Sequence, residues 1–278
     1  MNQRLLAVLA ALALAALTLQ SPANAAARPS SGFNDWSCRP SSARPDPVLL
    51  LHGLGGNGPG NFLTLGPSLA KAGYCVYAPT YGAPLPLVPV GGLNAIDQSA
   101  RENSATIDRV LAATGASRLH LVGHSEGGFL SLYIPKFTSK KVARVVALAP
   151  PTHGTTFAGL VTIARQLGIM PQVNEVMAAF GCKACTELTT GAATVAKLNT
   201  GPVAQPGVTY TVIASTHDSL VTPTETSFVR EPGVTNQYIQ DTCPKNTSGH
   251  IGLIYNDTTA QLVKNALSPS STPVTCGG

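Results

Sequence analysis

Charge is scarce in this chain. Only 11% of its 278 residues are Asp, Glu, Lys or Arg, and the 18 basic residues neither cluster into a block nor interleave with aromatics. That argues against nucleic acid as a partner, because such binding needs grouped Lys and Arg to neutralise phosphates. Long apolar runs are also missing after the first 25 residues. No later stretch reaches the ~18 apolar residues of a membrane span without Gly, Pro or charge. No internal repeat or low-complexity tract is present, which argues against a solenoid or array.

The beginning of the chain has a different character. Arg4 precedes an apolar run from Leu5 to Leu19, and Ser21-Pro22-Ala23-Asn24-Ala25 ends in an A-x-A pattern. Residues 1–25 therefore read as a signal peptide cut after Ala25, too short for a comfortable membrane span, and the mature protein is expected to be secreted without a transmembrane segment. About 250 residues remain, enough for a single domain over 26–278. All six cysteines (Cys38, Cys75, Cys182, Cys185, Cys243 and Cys276) lie beyond that segment. An even number in an exported chain favours disulfides over free thiols, with several pairings open. Cys38 and Cys75 flank the first expected strand and helix, and Cys243 and Cys276 flank the last helix, so each pair is placed to staple one end of the fold. Cys182 and Cys185 are placed to close a local loop. A zinc site at Cys182-Lys183-Ala184-Cys185 lacks two further ligands nearby, and a redox motif lacks the required preceding strand. No metal is expected.

The patterning alternates. Residues 26–47 are rich in Ser, Pro and Arg and read as an extended arm tied down at Cys38. Val48 to Leu51 is a short continuous apolar run, as in a strand buried on both faces of a parallel sheet. A glycine-rich turn from Gly53 to Gly60 leads into Phe62, Leu65 and Leu69 at helical spacing, and Tyr74 to Ala78 reads as a second strand. Residues 79–92 are a Pro- and Gly-rich loop, followed by a helix from Ile96 that Gly115 ends. Strands are predicted over 118–122, 142–149, 208–214 and 234–239, with helices over 126–136 and 258–267. This succession predicts an α/β protein, with a mostly parallel central sheet and helices on both faces. Residues 155–199 interrupt it with helical apolar patches and no strand, and read as a cap or lid insertion, with 155–180 as the cover itself. Ordinary core helix is the plainer alternative.

Gly123-His124-Ser125-Glu126-Gly127 fits G-x-S-x-G between a predicted strand and a predicted helix. The turn forces the serine into a strained conformation, and glycines on either side let the backbone pass closely. A serine that merely caps a helix would explain Ser125 and Gly127 but not Gly123. A serine hydroxyl needs a base within reach, oriented by a carboxylate, and in this arrangement they follow in the order Ser, acid, His. Asp218 and Asp241 both follow expected strands. Asp218 is preferred, since Asp241 runs straight into Cys243-Pro244 and suits a turn. His250, in the small-residue loop 248–252, is the expected base. His217 is tethered beside Asp218 and reads as a turn residue, His153 as shaping the exit from its strand, and His124 and His120 as the wall of the elbow and the sheet surface.

Charge that develops on a carbonyl oxygen needs waiting N–H donors. The expected pair is the main chain of Glu126, with its side chain negative at a helix start and pointing away, and that of Leu54 in His52-Gly53-Leu54-Gly55-Gly56. The same glycine run lacks the Lys-Ser/Thr ending of a phosphate loop and the acidic residue a dinucleotide site requires, so no cofactor is expected.

On these residues, with Gly73-Tyr74-Cys75-Val76, Leu148-Ala149-Pro150-Pro151-Thr152-His153-Gly154-Thr155-Thr156 and Gln240-Asp241-Thr242-Cys243-Pro244, the chain resembles the secreted actinobacterial class 2 lipases of the α/β-hydrolase fold and, more distantly, the fungal lipase B type. The resemblance implies a triacylglycerol lipase or carboxylesterase with a triad at Ser125, Asp218 and His250. Its partner would be a lipid or other ester, met at a lipid–water interface, and a monomer is expected. His-Gly-Leu-Gly-Gly stands where such relatives often have Pro-Gly-Thr. Two alternatives stay open: the same triad acting on a polyester or cutin-like polymer or transferring acyl groups to an alcohol, and a hydrolase-like protein that binds without catalysis.

Overall fold

A computed structural model describes residues 32–84, 89–268 and 272–277. The expected signal peptide lies outside the described residues. Six parallel strands form one sheet: β1 (Val48–Leu51), β2 (Val76–Tyr77), β3 (Leu119–His124), β4 (Val142–Leu148), β5 (Thr209–Ala214) and β6 (Val234–Tyr238), in the order β2-β1-β3-β4-β5-β6.

Both faces of the sheet are covered, which is why its central strands read as continuous apolar runs. Alternation along a strand divides the core in two. Leu49, Leu51 and Leu121 pack on one side with α3 (Ile96–Thr114) and α4 (Glu126–Phe137). Val48, Leu50 and Val122 pack on the other with α2 (Leu65–Lys71), which follows the short α1 (Gly58–Asn61). The last helix, α10 (Asp257–Leu267), joins this second face; Asn256 caps it by accepting from the Thr258 and Thr259 amides. Gly115 ends α3 with a left-handed φ of 74°, as its sequence position predicts.

The second strand is shorter than expected. Only Val76 and Tyr77 pair with β1, and the outer side of this edge is taken by the arm: Val76 N donates to Gly32 O, and Asn34 N donates to Val76 O. Cys38–Cys75 fastens that arm, Cys243–Cys276 fastens the C-terminal tail, and Cys182–Cys185 closes a local loop. Each of the two long loops contributes about 4 kcal/mol by restricting the unfolded chain.

Between β4 and β5 lie four helices, α5 (Leu160–Gln166), α6 (Met170–Ala179), α7 (Lys183–Glu187) and α8 (Ala193–Asn199). The α6 helix buries no residue, and Leu160, Leu167 and Phe180 are 67%, 67% and 79% exposed, which is not the pattern of core helices. A ninth helix, α9 (Ile239–Thr242), continues β6.

Register gathers the site. Leu51 lies opposite Gly123, His124 opposite Leu148, and Leu148 opposite Ile213, so β1, β3, β4 and β5 end together. Their following loops converge on one edge of the sheet, where ligands of open parallel sheets bind.

Candidate active site

Ser125 sits at φ 57° and ψ −119°, a conformation that non-glycine residues hold only when their surroundings enforce it. The enforcement is visible: Ser125 N donates to Leu148 O at 2.8 Å, and the serine carbonyl accepts from Phe129 N at 3.0 Å. A β-carbon on Gly123 would stand 1.9 Å from Gly127 O, and one on Gly127 would stand 2.0 Å from Leu51 O. Both glycines of the elbow are therefore steric necessities.

The side chain of Ser125 is half-buried and lines a cavity of about 130 Å³ together with His250, Leu54, Gly53 and the apolar Leu188, Leu220 and Val221. His250 and Asp218 are buried, with Nδ1 and Oδ2 2.6 Å apart. The other carboxylate oxygen of Asp218 accepts from the Leu220 and Val221 amides at 2.8 and 2.9 Å. A carboxylate only accepts, so the His250 proton sits on Nδ1 and leaves a lone pair on Nε2. Asp241, by contrast, accepts from Tyr238 N at 2.7 Å and caps α9. It does not meet His250. His217 is exposed beside Gln240, and His153 Nε2 lies 3.0 Å from Phe228 O.

The two expected amide donors flank the same cavity, since Leu54 lines it and Glu126 follows Ser125. As the first residue of α4, Glu126 has no intrahelical partner for its N–H.

The Glu126 side chain corrects an expectation. It is 0% exposed, and both carboxyl oxygens lack a hydrogen-bond partner among the described residues. Gly92, in the loop before α3, comes so close that a β-carbon on it would lie 2.4 Å from Oε2. Burial, with the Glu187 charge adding to it, pushes its carboxyl well above the usual carboxylate range. Beside the serine stands a buried carboxyl whose ionisation is disfavoured, not the exposed anion that a helix start suggested.

Two histidines fix the loops: His124, expected as the wall of the elbow, and His52, to which sequence reasoning gave no role. His124 Nε2–H donates to the main-chain oxygen of His250 at 3.0 Å, tying the elbow to the loop that carries the base, and its Nδ1 faces Asn61 Nδ2 at 3.4 Å. His52 accepts on Nε2 from Tyr81 N at 3.2 Å, which places its proton on Nδ1, toward Gly53 O at 2.9 Å. The Tyr81 hydroxyl then donates to His52 O at 2.6 Å, so the turn bearing Leu54 is held from two directions. The adjacency of His52 to Gly53 and of His124 to Ser125 was a signal available in the sequence. His120, expected on the sheet surface, is buried between Tyr74 and Asp46.

These groups set opposite pH dependences. Burial pushes His124 down to about 3, with the His250 ring adding to it, and burial pushes His52 and His120 down to about 4. The unfolded chain therefore binds more protons below about 6.5, and stability falls as the pH drops through the folded values. Glu126 acts the other way: the folded chain keeps a proton that the unfolded chain releases above about 4.5, so stability falls as the pH rises. In a calorimetric series above pH of about 4.5, the wild type is expected to lose Tm with rising pH through the raised Glu126 value, and Glu126→Gln is expected to flatten that fall while leaving the acid-side loss of the histidines intact. An equal fall in Glu126→Gln would refute the upward shift of this buried carboxyl.

Over 120 residues the chain is 31% identical to a triacylglycerol lipase of Pseudarthrobacter phenanthrenivorans, covering 41% of this chain and 36% of that protein. A triacylglycerol lipase of Burkholderia plantarii matches at 31% over 120 residues, 41% of this chain and 32% of that one. The match thus spans about a third of the length of these relatives. Among solved structures, Aspergillus fumigatus lipase B aligns with a TM-score of 0.62 at 19% identity, over 91% of this chain and 64% of that one. An enol-lactonase from Burkholderia xenovorans aligns with a TM-score of 0.55 at 17% identity, over 82% and 94%. A family model matches residues 48–233, and with more than half of its length covered the chain belongs to the alpha/beta hydrolase family.

Proposed function

We propose that this protein is a secreted serine ester hydrolase, a triacylglycerol lipase or carboxylesterase akin to the class 2 lipases. The reading rests on one observation: a strained, half-buried Ser125 shares its cavity with a His250 whose Nδ1 is held 2.6 Å from Asp218. In this mechanism His250 Nε2 takes the Ser125 proton as Oγ attacks the ester carbonyl. The Leu54 and Glu126 amides receive the oxyanion. The imidazolium then protonates the departing alcohol, and water, deprotonated by the same Nε2, releases the acid from the acyl-enzyme. Asp218 keeps the imidazole in the required tautomer and stabilises its charged form. The chemistry calls on no metal or organic cofactor.

Glycerides suit the apolar lining of the site and the cap above it. Leu160, Ile163, Leu167, Val176 and Phe180 are exposed on α5, α6 and the turn after them, an apolar face that serves as a cover for the cleft and as a contact with lipid. The three disulfides fit an oxidising compartment and support secretion. A serine-directed fluorophosphonate is expected to label the protein, and rates on a glyceride are expected to rise steeply once it passes its solubility and forms an emulsion. Absence of labelling, with no hydrolysis of any ester, would leave a binding protein in place of an enzyme.

A further inference from the structure

Glu126 carries a side chain that the reaction leaves unused. Its carboxyl is buried, and neither oxygen has a hydrogen-bond partner among the described residues. Nor is it half of an ion pair: Glu187, the charged group that acts on it, has the same sign, and the neighbouring Tyr81 gives its hydroxyl to His52 O. Burying such a group without a partner costs free energy, and a folded protein that bears the cost calls for an explanation. The main chain of the same residue offers one of the two N–H groups assigned to the oxyanion.

The other, Leu54 N–H, belongs to the same planar peptide unit as Gly53 O. In a trans peptide the two point in opposite directions, so whatever holds Gly53 O also aims Leu54 N–H. Gly53 O accepts from Gly56 N at 3.0 Å, and His52 Nδ1 lies 2.9 Å from it. Gly92 comes up to it as well: a β-carbon on Gly92 would lie 3.1 Å from Gly53 O and 2.4 Å from Glu126 Oε2. The Gly53 carbonyl and the Glu126 carboxyl therefore meet at one edge of Gly92, whose φ of 68° and lack of a side chain permit the approach. This segment is also laced to the turn, since Gly55 N donates to Gly91 O at 3.0 Å and Gly91 N donates to Gly56 O at 2.7 Å.

We propose that the Glu126 side chain is a positioning group for the oxyanion site: its carboxyl backs Gly92 against the Gly53 carbonyl and so holds Leu54 N–H in aim beside the N–H of Glu126 itself. This rests on the ester-hydrolase reading and adds a positioning residue to it. Glu126 does not line the reaction cavity, so its side chain acts through Gly92 and not on the substrate. One residue then sets both donors, the first by starting α4 and the second by the reach of its side chain. Reach matters because a donor displaced by about 1 Å can cost on the order of a hundredfold in rate.

The test compares wild type, Glu126→Ala, Glu126→Asp and Glu126→Gln in hydrolysis of p-nitrophenyl acetate, with folding checked by thermal unfolding. Inhibition by a trifluoromethyl ketone is measured alongside, since Ser125 Oγ adds to its carbonyl carbon, the serine proton passes to His250, and an oxyanion is left where the ester would place one. Alanine removes the brace and aspartate withdraws it by one carbon, so each is expected to lower kcat at least tenfold with KM within threefold. The inhibition constant for the ketone is expected to rise by the same factor as kcat falls. Glutamine keeps the shape and is expected to recover most of the loss. Either of the shortened variants suffices should the other not fold. A folded one with kcat within twofold of the wild type would overturn the proposal while leaving the ester-hydrolase reading standing. So would a fall in kcat with unchanged inhibition by the ketone, or a loss that glutamine does not recover. A wild type that neither hydrolyses esters nor reacts with a fluorophosphonate would end both.

Discussion

Ser125→Ala is expected to lower kcat/KM on a soluble ester by on the order of a million-fold, with the fold intact. The size follows from what the hydroxyl contributes: without it there is no acyl-enzyme, and only the amide donors and substrate binding are left to act on water. The fold should not suffer. Alanine meets the same φ of 57° at the same steric cost, and the main-chain bonds from Ser125 N to Leu148 O and from Phe129 N to Ser125 O remain. The side-chain oxygen makes no hydrogen bond among the described residues, so none is lost. Steady-state rates and a thermal midpoint measured on the same preparation decide it. Activity retained within a hundredfold would mean that the covalent route is wrong.

Asp218→Asn is expected to cost roughly 10⁴-fold in kcat, for a reason specific to this site. One oxygen of Asp218 accepts from the Leu220 and Val221 amides, and the other faces His250 Nδ1. An asparagine must keep its carbonyl oxygen on the two amides and turn its NH₂ toward the imidazole. His250 then accepts on Nδ1 and carries its proton on Nε2, where it cannot take one from serine. Asp241→Asn supplies the contrast. That side chain accepts from Tyr238 N, a bond the asparagine carbonyl oxygen can keep, so the substitution should cost little stability and little activity. If the two substitutions exchanged their effects on kcat, Asp241 would be the acid.

The alternation of strands and helices was legible because a parallel sheet covered on both faces requires continuous apolar runs, and Val48–Leu51 and Val142–Leu148 supply them. The elbow was legible because close backbone passage demands glycine at fixed spacing, at Gly123 and Gly127. Asp218 was preferred to Asp241 only on the turn character of Asp241-Thr242-Cys243-Pro244, because both follow a strand and local sequence does not say which loop folds back to His250. The burial of Glu126 was not legible at all. It depends on Gly92 and its neighbours reaching the side chain from a distant loop, and nothing within a few residues of Glu126 encodes that approach. The docking of residues 32–34 on the outer edge of the second strand escaped for a similar reason, since it joins segments about 40 residues apart.

By itself the sequence determined the succession of elements, the serine lifted out of its turn and the candidates for its partners, because short-range sterics and hydrophobic periodicity act over a handful of residues. Only the tertiary structure decided which carboxylate meets the imidazole, which histidines fasten the loops, and that a second apolar cavity opens among α5, α6 and α7. Those outcomes depend on groups separated by tens of residues, brought together by sheet register and by helices packed across the strand ends, and such distances carry no local signature in a chain.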